Sequence, residues 1–154
     1  MDQAAIGRPG TPWHLWVVAV VSLVWFAGGA NDYVQTKTLN MDYITMAASG
    51  VGVDPQVVVD YFANWPLWAD IAWALGVWGA VAGGLLLLLR SRFAFHALVL
   101  SLIGLVGTTT YQFTSDMPEQ FKSPFQLVFA ALIWLSVIAL AYYARRMTRA
   151  GVLR

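Results

Sequence analysis

Four stretches of this chain run apolar for about 20 residues each, the length of helix that crosses a bilayer core roughly 30 Å thick. They cover 13–30, 66–89, 93–113 and 125–143, and Asp70 is the single charged residue within them. None shows the strict alternation of a barrel strand. An isolated apolar segment in hydrocarbon must satisfy its own backbone polar groups, and helix does this within the segment. The expected fold is an all-α membrane protein: four transmembrane helices in an antiparallel up-down bundle, forming one transmembrane domain over 1–154.

Composition agrees. Charged residues make up 11% of the chain, against about 25% in soluble domains. So little charge cannot cover a water-facing surface, and the lipid bilayer is the first partner expected. With no cysteine and a net charge of +1, disulfides, thiolate metal sites and cysteine nucleophiles are excluded. Nothing calls for nucleic acid.

Orientation follows from lysine and arginine placement. Arg8 precedes the first span, Arg90 and Arg92 join the second to the third, and Arg145, Arg146, Arg149 and Arg154 follow the fourth. The other two loops hold only Lys37 and Lys122 as cations, beside Asp32, Asp42, Asp54, Asp60, Asp116 and Glu119. An even span count puts both termini on one side. The expectation is a multi-pass membrane protein with cytoplasmic N- and C-termini. The first span lacks a clean small-x-small cleavage site and is expected to be retained. Trp13, Trp16, Trp65, Trp68, Tyr142 and Tyr143 mark the span borders, as rings with polar tips favour the headgroup level. Trp25, Trp73, Trp78 and Trp134 lie deeper and read as packing residues.

The outer loop, 31–65, contains two helix starts. Asp54-Pro55 supplies an N-cap and a first-turn proline, predicting a short helix over 56–63 with Val58, Tyr61 and Phe62 on one side. Asn40 can cap another through Met41, Ile44 and Ala48, ending near Ser49-Gly50. Both read as amphipathic pieces lying on the bundle or at the headgroups; a lid or docking surface is the alternative.

Asp70 is a functional candidate because ionisable groups within spans are costly. It also stands in the first turn of its helix, where the macrodipole favours a carboxylate. Asn31, Asp32, Tyr111 and Gln112 fall at the same depth, and Asp70 joins them in a candidate solute-binding vestibule at the outer face. His14 and His96 sit at the inner interface, where imidazole requires neither haem nor metal. No metal site and no cofactor are expected. Small residues recur along the second span at Ala72, Gly76, Ala80 and Gly84, with Gly79 and Gly83 offset by one. They form a helix-packing groove, with Ala97, Ser101, Gly104, Gly107 and Thr108 as its candidate partner stripe.

Several motifs carry a family resemblance: Trp13-His14-Leu15-Trp16, Gly28-Gly29-Ala30 with Asp32-Tyr33, Trp73 to Gly79, Tyr143-Ala144-Arg145-Arg146, and Gly151-Val152-Leu153-Arg154. Over nearly its whole length the chain resembles a bacterial family of small four-span inner-membrane proteins, often labelled hypothetical or "sugar transporter". The label implies transport and assigns no residue a role. The three-span small sugar transporters look different, because the only Pro-Gln pair here, Pro55-Gln56, lies in a loop.

The expected function is therefore small polar-solute transport or binding at an outer vestibule, without enzymatic activity. The alternative is a non-catalytic accessory or scaffold subunit of a larger membrane complex. A homo-oligomer or a membrane-complex partner would suit either role.

Overall fold

A computed structural model describes residues 10–154, apart from the Gln120 side chain. Arg8, one of the orientation cations, lies outside the described residues. Six α-helices and one 3₁₀ turn follow in order: α1 Trp13–Lys37, α2 Met41–Gly50, α3 Pro55–Ala63, α4 Leu67–Leu88, α5 Ala94–Thr114, the turn Glu119–Lys122, and α6 Pro124–Arg149. Among the described residues there is no strand. Four of these helices, α1, α4, α5 and α6, are long and apolar enough to cross a membrane. They pack as an antiparallel up-down bundle, α1 against α4, α4 against α5, and α5 against α6. The chain is an all-helical, multi-pass integral membrane protein.

Helix starts follow local chemistry. Asn40 Oδ1 accepts from Tyr43 N at 3.3 Å, and Asp54 Oδ1 accepts from Gln56 N at 2.8 Å. Ser123 Oγ accepts from Gln126 N at 3.3 Å, with Pro124 in the first turn of α6. Two helices outrun their expected spans. α1 continues seven residues past Ala30, to Lys37, and α6 continues past Tyr143 to Arg149. The apolar run marks where lipid ends, but the backbone ladder stops only where its bonding stops. No glycine or proline interrupts 31–37, and Lys37 suits a helix C-terminus.

The tightest seam joins α4 to α5. A Cβ added at Gly104 would collide with Gly76 N and the Ala72 carbonyl, and one at Gly79 would lie 2.9 Å from Ser101 N. Ser101 is fully buried, and its Oγ donates to the Gly76 carbonyl at 2.6 Å. Gly83 faces Leu98 of α5, whereas Gly84 faces Leu23 of α1. The expected groove of Ala72, Gly76, Ala80 and Gly84 is thus shared between two neighbours. The α5 seam runs Ala72, Gly76, Gly79 and Gly83, because a straight helix repeats nearer 3.6 than 4 residues.

Burial is uneven along the bundle. Leu15 and Ala19 of α1, Ala80 and Leu87 of α4, Ala94 and Leu98 of α5, and Val137 to Met147 of α6 form the core, at the arginine end. Val152 and Leu153 complete it. Gly151 takes φ +71°, the left-handed conformation that closes a helix. Val152 N then bonds Met147 O, and the chain folds back. Arg154 N donates to Arg90 O at 2.8 Å, and Arg92 N donates to Arg154 O at 2.9 Å. The tail is thereby clamped onto the α4–α5 turn. At the opposite end the outer half of α6 stands away from the bundle: Leu127 to Leu132 are all exposed.

Candidate functional site

At the acidic end, α3 packs against α2 and α1 beside the start of α4. Its rings sink among those of the spans. Phe62 stacks on Trp73 with centroids 5.0 Å apart, and Tyr61 meets Trp65 at 5.8 Å and Phe121 at 5.3 Å. Trp65 also packs on Trp73 at 5.4 Å and on Tyr111 at 5.0 Å, while Trp68 meets Tyr111 at 5.5 Å. Tyr33 extends the cluster toward α1 through Trp73 and Trp78. Aromatic area on this scale is enough to fix α3 in place, at about 0.5–1.5 kcal/mol per ring pair beyond simple burial.

Beside this cluster is an open cleft of about 430 Å³, lined by Val57, Asp60, Tyr61, Asn64, Tyr111, Ser115, Asp116 and Pro118. Pockets for small molecules begin near 300 Å³, so the volume suits a small solute. Asp60 and Asp116 are exposed and give the cleft a negative rim. Asp60 Oδ1 accepts from Gln56 Nε2 at 2.8 Å, leaving acceptor capacity unused. Behind the wall, the Tyr61 hydroxyl, Ser115 Oγ and Trp65 Nε1 are buried without a hydrogen bond. Burial pushes the Tyr61 phenol above its ordinary range; Ser115 and Trp65 are near enough to reverse part of that rise, though neither reaches bonding geometry. An unsatisfied buried polar group costs about 1–3 kcal/mol. Their burial puts all three out of reach of a solute in the open cleft, whose exposed polar groups are those of Asp60, Asn64 and Asp116.

The five expected vestibule residues separate. Tyr111 lines the cleft. Asp70 is held by Lys37, whose Nζ donates to both carboxylate oxygens at 2.8 Å. The extension of α1 brings that lysine within reach. Asp32 accepts from the Tyr43 hydroxyl at 2.9 Å, tying α2 to α1. The Tyr43 phenol is pushed up to about 12, by burial first and then by the charge and hydrogen bond of Asp32. Asn31 is exposed and Gln112 half-buried, and neither lines the cleft. Asp60, Asn64, Ser115 and Asp116 were not expected. Their sequence signal, polar residues at the end of α3 and just after α5, has no meaning until the two segments meet.

The histidines have local partners. His14 Nδ1 lies 2.6 Å from the Tyr143 hydroxyl, joining α1 to α6, and His96 packs between Phe93 and Phe95. Deep tryptophans bridge helices: Trp25 Nε1 donates to Ser136 Oγ and Trp134 Nε1 to Thr109 Oγ1, both at 3.2 Å. Among the described residues no three His, Asp or Glu side chains converge as a metal site would require.

The fold and cleft define a class, a multi-pass helical membrane protein with an aromatic-walled polar cleft at one end. No family model, curated protein or solved structure matches the chain.

Proposed function

We propose that this protein binds a small polar solute at the cleft between α3 and the end of α5, as the entry station of a transport route across a bacterial inner membrane. The observation that carries this reading is an open cleft large enough for a solute, rimmed by the exposed Asp60, Asn64 and Asp116 with Tyr111 in its wall. The role is binding and passage rather than catalysis. The arginine asymmetry supports cytoplasmic termini, with the cleft facing outward. Asp70 and Asp32 serve here as struts, because each already has an internal partner.

Trp65 and Trp68 pack on Tyr111, so occupancy should change intrinsic fluorescence. Purified protein would be titrated with sugars, amino acids and small amines. One class should give a saturable change, and Tyr111→Phe should weaken it about fivefold, the worth of one neutral hydrogen bond. If no class saturates, and proteoliposomes take up none of them faster than protein-free vesicles, the proposal fails.

One observation favours a second reading, an accessory subunit or homo-oligomer. The exposed stretch Leu127–Leu132 includes Ala130 and Ala131, small residues against which another helix can pack closely. A stoichiometric partner or a defined oligomer in gentle detergent, lost on Ala131→Phe, would favour that role.

A further inference from the structure

We infer that the arginine end carries a binding site for an anionic phospholipid headgroup, centred on Arg92 and Arg145 at the start of α5. Every acidic residue among the described ones lies toward the opposite end, in or beside the two acidic loops. Six arginines crowd this end: Arg90, Arg92, Arg145, Arg146, Arg149 and Arg154. The ion pairs formed among the described residues are Lys37–Asp70 and Lys122–Glu119, so none of the six guanidinium groups is paired with an acidic side chain. Arg90 Nε is moreover buried without an acceptor.

Two of these cations are held in place. The Arg92 guanidinium lies over the Phe93 ring at 5.4 Å and that of Arg145 over Phe95 at 5.8 Å. Between the two rings stands His96, 6.0 Å from Phe93 and 5.7 Å from Phe95. The result is one continuous array on the first turn of α5, with a guanidinium at each flank. Stacking on a ring leaves the edge donors of arginine free for an acceptor. Ser91 caps this end of α5, its Oγ accepting from Phe93 N at 3.3 Å and its carbonyl from Ala94 N at 3.1 Å, which fixes the backbone that carries Arg92 and Phe93. Phe93, 56% exposed, offers acyl chains an apolar surface beside the charges. Phosphate recognised by arginine with acyl chains on an aromatic surface defines a phospholipid, whereas a free phosphate would use only the first half.

The test is binding of phosphatidylglycerol to the full chain in neutral detergent, followed by native mass spectrometry. Phosphatidylcholine and inorganic phosphate serve as comparison probes. Arg92→Gln with Arg145→Gln should weaken phosphatidylglycerol binding roughly thirtyfold, from about a factor of five per cation near a headgroup. Arg146→Gln with Arg149→Gln removes the same charge elsewhere on the rim and should weaken it far less. Equal loss in both double variants would mean diffuse attraction and overturn the site. So would equal binding of phosphatidylcholine. Competition by inorganic phosphate at matched concentration would overturn the lipid assignment. Helical content by circular dichroism separates a lost site from a lost fold.

Discussion

Asp70 illustrates how a residue changes meaning once its neighbours are known. Alone in an apolar run it suggests a solute or proton site; with Lys37 Nζ at 2.8 Å from both oxygens it is half of an ion pair, about a quarter exposed. Partly exposed pairs are worth about 1 kcal/mol or less. A double-mutant cycle with Asp70→Asn and Lys37→Gln, read by thermal unfolding in detergent, should return a coupling of about that size. A coupling near zero would leave α1 and α4 joined at this end by packing alone. The Tyr43–Asp32 contact makes a second prediction at this scale. A phenol raised in the fold from 10.0 to about 12 keeps its stabilising contribution fully below pH 10. That contribution falls as pH rises through about 12, because the folded form holds its proton longer than the unfolded form. Absorbance at 295 nm should show late-titrating tyrosines, and Tyr43→Phe should remove one residue's share of that late signal.

Among elements, the α4–α5 seam is the most exacting. Gly104→Ala would place a methyl against backbone atoms of α4. Backbone cannot rotate away as a side chain can, so the cost should be about 3 kcal/mol, the upper part of the overpacking range. Gly28→Ala in α1 meets nothing within 4 Å and should instead be neutral or stabilising by up to about 1 kcal/mol. Thermal midpoints of the two variants, measured side by side, decide the matter. The sequence placed both stripes on the right helices. It missed the registry, because spacing by four and spacing by three and four are both present among these glycines and alanines. Only the position of α1 shows that Gly84 turns away from α5. The capped starts of α2 and α3 were readable, since a cap is a contact between residues two or three apart. The end of α1 was not, since hydropathy reports solvent and helix termini report backbone bonding.

For the whole molecule, the two ends differ in kind. The arginine end holds the buried core and is clasped by the folded-back tail; the acidic end is aromatic and opens into a cleft. Val152 and Leu153 are each 4% exposed and join all four spans in one core. Leu153→Glu should therefore destabilise by several kcal/mol, as a buried unpaired charge does, and detergent-purified protein should lose its monodisperse peak. Arg154→Gln, which keeps the backbone clamp, should elute as the parent does.

The sequence alone determined the four spans, their helical character, the separation of arginine from carboxylate and the caps of the short helices. These are decided by transfer of side chains into lipid and by contacts within a few residues. Tertiary structure decided that α1 delivers Lys37 to Asp70, that α3 sets Phe62 on Trp73 of α4, and that Asp60 faces Tyr111, Ser115 and Asp116 across a cleft. Each of those depends on distances between residues far apart in the chain, set by how closely glycine seams let the helices approach, and no periodicity in the sequence encodes them.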